Sequence, residues 1–109
     1  MVTVDLFRDA DGCLNGFSSK GHAGYAAAGQ DIVCAAISAI LQTAVLGITD
    51  RLGLDVAFTM EEGEMTLHLL DPLSKAQKNN ADLILDTMRL GLKSLAMAQS
   101  ECIQIQEWR

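Results

Sequence analysis

Apolar and polar residues alternate at the start of the chain, where the apolar set is Val2, Val4 and Leu6. A period of two predicts a strand with one buried face. Asp11-Gly12 is a strong hairpin signal, so we expect a second strand over about Cys13 to Ser19. Three glycines among small residues then mark Gly21 to Gln30 as a loop, with Tyr25 as its one large side chain.

The longest apolar region follows that loop. Asp31 has the chemistry of a helix N-cap, because its carboxylate can accept hydrogen bonds from the free amides of a first turn. A helix is therefore expected from Ile32 to about Leu52, with Gly53 ending it. Its apolar residues lie almost all round the helix, which predicts burial on more than one side.

A second alternating pattern predicts an antiparallel hairpin with one buried face. Its apolar positions are Leu54, Val56, Phe58, Met60, Met65, Leu67 and Leu69. The turn falls at residues 61–64, which are Glu-Glu-Gly-Glu. Ser74 and Gln77 then have capping-box spacing for a second helix, and Ile103 and Ile105 alternate with polar residues in a closing strand.

This order of elements predicts one α+β domain over residues 1–109 (an α/β two-layer arrangement). Two long helices are expected to pack on a mostly antiparallel sheet of about five strands. The length of 109 residues suits a single core, and 50% hydrophobic with 20% charged residues is typical of a globular domain.

Charge and cysteine content narrow the functional classes. A net charge of −6 disfavours direct nucleic-acid binding. It would favour basic partners, although solubility alone also explains an acidic surface. The region Ile32–Ile48, broken by polar residues, reads as too short and too polar to cross a membrane. No secretory signal pattern is visible, so we expect a cytoplasmic protein. Three cysteines without a C-x-x-C pair indicate neither a disulfide framework nor a zinc site, and no metal or cofactor is expected.

The strongest candidate chemistry lies between His22 and Ser38. With Asp31 as N-cap, Cys34 is the third helical residue, near free amides and the positive end of the helix dipole, where a thiolate and an oxyanion are favoured. The glycine-rich loop can double back and bring His22 to the sulfur. A Cys-His pair is the minimal apparatus for acyl transfer through a thioester.

Each of these residues also has a structural interpretation. Cys34 suits a core among alanines, Asp31 is explained by capping, and Ser38, one turn after Cys34, fits a helix-packing role as well as a site. The turn glutamates are explained by solvation, although they also suit the docking of a basic peptide. His68 is expected on the sheet face opposite Leu67, and Cys13 and Cys102 are expected in strands as buried apolar residues.

Two runs of residues resemble the family of ribosomal-processing cysteine proteases called Prp. They are Gly21-His22-Ala23-Gly24-Tyr25 and Gly29-Gln30-Asp31-Ile32-Val33-Cys34-Ala35-Ala36-Ile37-Ser38. The family pattern is Gly-His-Ala, a short loop of small residues, then Asp-x-Val-Cys-Ala-Ala-x-Ser. The length and element order of the chain also fit the family.

The resemblance implies a homodimeric protease that removes the N-terminal extension of the large-subunit ribosomal protein numbered twenty-seven, in support of ribosome maturation. It implies Cys34 as nucleophile and His22 as general base and acid, with Asp31 and Ser38 as supporting positions. The loop containing Gly21, Gly24, Tyr25 and Gly29 would then order around the substrate.

Two other functional classes fit the same residues. One is a non-catalytic homodimeric module for ribosome assembly or peptide binding, in which Cys34 is structural. The other is a thiol redox or persulfide-carrying enzyme, which is disfavoured because no resolving cysteine lies nearby in the sequence. Reaction with a thiol probe separates the module from the two enzymes, and peptide cleavage separates the enzymes from each other.

Overall fold

The computed structural model describes residues 1–21 and 28–109, the side chains of residues 28–31 excepted. Its elements are β1 (Val2–Arg8), β2 (Leu14–Gly21), α1 (Ala28–Leu46), a π-helical turn (Gly47–Arg51), β3 (Val56–Glu61), β4 (Glu64–Leu69), α2 (Lys75–Ala98) and β5 (Ile103–Trp108). The sequence predicted this succession of two strands, a helix, a hairpin, a helix and a final strand, and the structure confirms it.

The five strands form one sheet in the order β3-β4-β2-β1-β5. Strands β1–β2, β2–β4 and β3–β4 pair antiparallel, whereas β5 returns parallel to β1. The β1–β2 turn follows the predicted chemistry: Gly12 has a φ of 86°, a left-handed value that glycine adopts without steric cost. Because β4 pairs with β2, the tip of the β3–β4 hairpin lies beside the end of β2, where the Gly21 amide donates to the Gly63 carbonyl at 2.9 Å.

One face of the sheet and the inner faces of both helices share a single core. Its largest fully buried side chains include Leu6, Phe17, Leu41, Leu67, Leu85 and Leu92. The helix α2 begins at the predicted capping box, with the Gln77 amide donating to Ser74 Oγ at 3.1 Å and the Ser74 amide donating to Gln77 Oε1 at 2.8 Å. The opposite sheet face carries polar residues and exposed His68, as predicted.

The buried face predicted for the first hairpin strand is wrong. Phe58 and Met60 pair with buried Leu67 and Met65, and therefore lie on the helix side of the sheet. Yet Phe58 is 39% and Met60 56% exposed, because β3 is the edge strand and neither helix covers it. Alternation of side chains is the same in an edge strand and an inner strand, so the pattern alone does not distinguish them.

The first helix departs from its prediction at its start and on its outer face. It begins at Ala28 rather than after Asp31, so Asp31 is not the N-cap. Alanine has the highest helix propensity, and an acidic residue is also favourable inside the first turn, which explains the earlier start. Ile32 is 71% exposed, so the predicted burial on more than one side does not include this residue. Gly53, with a φ of 65°, ends the helical segment as predicted.

By length and composition alone, the helical stretch Ile32–Arg51 is apolar enough to cross a membrane. The expectation that this region is too short and too polar is therefore wrong by these two measures. A core helix of a soluble protein has the same properties, and Val33, Ile37 and Leu41 of this helix are buried in the common core.

Candidate active site

A cleft of about 490 Å³ lies between the first half of α1 and the tip of the β3–β4 hairpin. Helix α1 contributes Cys34, Ser38 and Gln42 to its wall. These residues are spaced by four, so they form one stripe along the helix. The predicted neighbours Cys34 and Ser38 therefore line one cleft, and Gln42 extends the stripe by one more turn.

Gln42 is a cleft residue that the sequence reasoning missed. Its Nε2 donates to Ser38 Oγ at 2.7 Å, which fixes the hydroxyl oxygen as an acceptor and leaves the Ser38 proton available to another group. The repeat of four residues from Cys34 through Ser38 was the signal that could have identified it.

The earlier start of α1 changes the electrostatic argument for Cys34. Cys34 lies in the second helical turn, whereas the free amides and most of the dipole effect belong to the first. Helical side chains tilt toward the N-terminus, so the Cys34 side chain still leans over the first turn. The helix dipole therefore acts on this sulfur from one turn away, and more weakly than the N-cap prediction implied.

Gly21 occupies the rim of the same cleft. The predicted loop placed Gly21 at its beginning, but the structure makes it the last residue of β2, with a φ of 104°. A Cβ atom built there would collide with the carbonyl oxygen of Met1, so this position accepts glycine alone without rearrangement. Gly21 is also the residue immediately before His22 in the chain.

Several predicted site residues lie outside the described residues: His22, Gly24 and Tyr25, together with the side chain of Asp31. The pairing of His22 with Cys34 accordingly stays a prediction. Gly29 and Gln30 are helical and do not belong to the predicted loop. Residues near a helix start have no intrahelical partner for their amides, so glycine costs less there than in a helix interior.

Three glutamates rim the cleft at the hairpin tip: Glu61, Glu62 and Glu64. They are exposed, as expected for a solvated turn, but they also face the space that Cys34 lines. Lys20 Nζ lies 4.0 Å from Glu64 Oε1, with both side chains largely exposed. An ion pair between exposed side chains contributes little free energy. The rim therefore presents negative charge to whatever enters the cleft.

The other two cysteines are placed differently from Cys34. Cys13 precedes β2 instead of lying in it and is half-buried, so its predicted burial in a strand is wrong. Burial, followed by the nearby carboxylates of Asp82 and Asp9, raises the pKa of the Cys13 thiol. Cys102 is buried at 1% exposure, as predicted, but it lies in the turn before β5 and not in the strand. No disulfide joins the three cysteines.

Comparison with known proteins agrees with the family resemblance of the motif over Gly21–Ser38. The family model for cysteine protease Prp matches residues 1–104. The ribosomal processing cysteine protease Prp of Staphylococcus aureus, strain NCTC 8325, is 30% identical over 108 residues, which cover 96% of this chain and 97% of the relative.

Solved structures give the same answer for the fold. The S. aureus ribosomal processing protease Prp, in complex with a covalently linked product peptide, superposes with a TM-score of 0.84 at 27% identity, covering 99% of this chain and 100% of the other. The same S. aureus protease in complex with a substrate peptide superposes with a TM-score of 0.84 at 26% identity and the same coverage. SMU.848 from Streptococcus mutans superposes with a TM-score of 0.83 at 26% identity, covering 98% of this chain and 93% of the other.

Proposed function

The chain belongs to the cysteine protease Prp family and is a cysteine-type endopeptidase, and from this premise we propose that Cys34 is its nucleophile and His22 its general base. The observation that carries the proposal is the cleft that Cys34 lines together with Gly21, the residue before His22. Cys13, with its raised pKa, and Cys102, which is buried, are poorly suited to the same role.

The reaction follows from the chemistry of a thiol and an imidazole. The Cys34 thiolate attacks the scissile carbonyl, and a carbon–sulfur bond forms as the carbonyl electrons move to the oxygen. Protonated His22 gives its proton to the leaving amine, and the carbon–nitrogen bond breaks to leave a thioester. His22 then takes a proton from water, whose oxygen attacks the thioester and releases Cys34 and a carboxylic acid.

Supporting roles are assigned to Ser38 and Asp31. Ser38 lies one helical turn from Cys34 on the same stripe and is held by Gln42, so its proton can be donated toward bound peptide. Asp31, in the first turn of α1, is proposed to support the site from the motif alone. The segment with Gly24 and Tyr25 is proposed to order around the bound peptide, as the family resemblance implies.

The proposed substrate is the N-terminal extension of the large-subunit ribosomal protein numbered twenty-seven. The relatives are named ribosomal processing proteases, and two of the solved structures contain a peptide. Proteins that bind ribosomal RNA are rich in lysine and arginine, since they neutralise phosphates. The three glutamates at the cleft rim complement such a chain by long-range attraction. This role also places the protein in the cytoplasm.

A homodimer is part of the proposal. A groove of about 570 Å³ lies between α1 and α2, lined mainly by apolar residues that include Ile40, Leu83 and Ile84. A second copy that covers this groove would bury the outer helix surfaces. Light scattering at micromolar concentration should give a mass near twice 11.7 kDa, and Leu83→Glu should halve it. A wild-type protein that stays monomeric would contradict this part of the proposal.

Cleavage tests the proposed function. The purified protein is incubated with the extended ribosomal protein from the same organism, and the products are mapped by mass spectrometry. We expect one cut near the N-terminus, no cut with Cys34→Ala, and an undiminished cut with the matched control Cys13→Ala. Absence of a cut by the wild-type protein, or full activity of Cys34→Ala, would contradict the proposal.

A further inference from the structure

The free edge of β3 has main-chain groups that face outward. In the described part of the chain, β3 pairs with β4 alone. The Leu70 amide donates to the Asp55 carbonyl at 3.3 Å, which makes these two residues a hydrogen-bonded pair. Hydrogen-bonded and non-hydrogen-bonded pairs alternate along an antiparallel ladder. The amides and carbonyls of Phe58 and Met60 therefore point away from β4.

Among the described residues, little shields this edge from pairing with another strand. Natural edges are shielded by proline, by charged residues, by bulges or by short length. Strand β3 has six residues, an unbroken register with β4, and no charge before Glu61 at the tip. At the other edge of the sheet, β5 is shielded by Glu107, which pairs with Arg8 and Lys93.

The open edge continues into the cleft that Cys34 lines. Met60 belongs to both the edge and the cleft, because its main chain lies on the edge of β3 while its side chain lines the cleft. Phe58, two residues away, projects from the same face and is partly exposed. A strand added beside β3 would thus pass the mouth of the cleft and reach the glutamates at the hairpin tip.

We propose that the substrate peptide binds in an extended conformation as a sixth strand along β3, with main-chain hydrogen bonds to Phe58 and Met60. The inference rests on the proposed protease function and specifies how the substrate is held. Strand addition to a sheet edge is a common mode of peptide recognition, in which main-chain bonds supply affinity and alternate side chains supply specificity. Peptide side chains on the helix side meet the cleft, and the intervening ones face the open side of the sheet.

Amide hydrogen exchange tests the pairing residue by residue. Cys34→Ala protein is measured by NMR with and without a synthetic peptide that spans the N-terminal extension of ribosomal protein twenty-seven and the first mature residues. The Phe58 and Met60 amides should exchange quickly in the free protein and at least about tenfold more slowly with saturating peptide. The amides of Ala57 and Thr59 already bond to β4, so they should change little.

A matched pair of variants tests the same contact through cleavage. Met60→Pro removes an outward amide without removing a bond to β4, whereas Met60→Leu keeps the amide and a similar volume. With wild-type Cys34, the proline variant should show a rise in KM of about tenfold, the size expected for one lost hydrogen bond. The leucine variant isolates the effect of changing the side chain, so the KM of the proline variant should exceed that of the leucine variant by the same factor. Thermal unfolding of both variants checks that the fold is retained.

The outcomes separate the inference from the proposed function. If wild-type protein cleaves the peptide but Phe58 and Met60 gain no protection, strand addition is overturned and the protease function stands. Protection that already exists in free protein and disappears on dilution would assign the edge to a second copy, which also overturns the inference. Failure of wild-type protein to cleave the peptide contradicts the proposed function, and strand addition of this substrate with it.

Discussion

Cys34 and Cys13 are both half-buried, but their surroundings differ. Cys13 faces the carboxylates of Asp82 and Asp9, and burial and these charges raise the pKa of its thiol. Cys34 instead lines an open cleft on the stripe with Ser38. The reactivity of a cysteine depends on thiolate character and access together, so the three cysteines of this chain should react at separable rates.

Alkylation measures directly the order in which the three cysteines react. After brief treatment of the folded protein with iodoacetamide, mass mapping should show Cys34 labelled first, Cys13 more slowly and Cys102 last. The slow reaction of Cys13 follows from its raised pKa, and that of Cys102 from its 1% exposure. Labelling of Cys13 at or above the rate of Cys34 would contradict the assignment of the nucleophile.

The two histidines provide a matched pair for the general base. Replacement of His22 by alanine should lower the cleavage rate by about 10²- to 10⁴-fold, the usual contribution of a general base. Replacement of His68, an exposed residue whose ring contacts Phe7 on the other side of the sheet, should leave the rate unchanged. Both variants should unfold close to the wild-type temperature. Equal rates for the two variants would remove His22 from the mechanism.

The starts of the two helices show which local sequence signals are sufficient to predict an N-cap. Ser74 was identified correctly because a capping box has two reciprocal partners, and Gln77 stands three residues later. Asp31 lacks this second partner, since the residue three positions on is Cys34, and the helix begins earlier, at Ala28. An acidic residue alone does not distinguish a cap from the first turn, because both positions favour negative charge.

Asp82 joins α2 to the start of β2. Its Oδ1 accepts a hydrogen bond from the amide of buried Leu14 at 2.7 Å. Asp82→Ala leaves that amide without its partner and should lower the free energy of unfolding by about 1–3 kcal/mol.

Asp86→Ala is the control for this change. Asp86 lies one turn further on the same helix and pairs with Arg89 at 2.6 Å. An i,i+3 pair at the surface contributes about 0.5 kcal/mol or less. Urea unfolding measures the free energy of unfolding of both variants. If Asp86→Ala lowers it as much as Asp82→Ala does, the hydrogen bond to Leu14 adds nothing to stability.

The mixed α+β fold, with five strands and two helices, could be predicted from the hydrophobic periodicity, but the position of the cleft could not. The cleft forms because β4 inserts beside β2 and brings the β3–β4 tip to the first half of α1. Strand order is set by long-range packing, which no local pattern records. For this reason the glutamates and Cys34 could each be named from the sequence, while their meeting in one cleft could not.

Glu107 connects three elements and gives the fold a pH dependence. Its Oε1 accepts from Arg8 of β1 at 2.9 Å, and its Oε2 lies 3.6 Å from Lys93 Nζ of α2. The hydrogen bonds from Arg8 lower the pKa of Glu107 despite partial burial. A folded-state pKa below the unfolded value stabilises the protein above the unfolded pKa, and this contribution is lost as pH falls through the folded pKa.

Glu107→Gln should therefore reduce stability at neutral pH by up to about 1 kcal/mol, the range for ion pairs at the protein surface. The difference from wild type should be smaller at a pH of about 3, which lies below the ordinary glutamate pKa and toward the lowered folded-state pKa. Urea unfolding at both pH values measures it. A difference that is the same at the two pH values would mean that the charge of Glu107 contributes no stability.

The central claim is that Cys34 attacks the peptide carbonyl, and the mass of the intermediate tests it most directly. Wild-type protein is mixed with the ribosomal extension peptide, quenched in acid within one turnover, and measured as intact protein. The account predicts a thioester adduct on Cys34 whose added mass equals the released N-terminal fragment less one water, and no adduct on Cys34→Ala. Cleavage that proceeds without an adduct and persists in Cys34→Ala would contradict it.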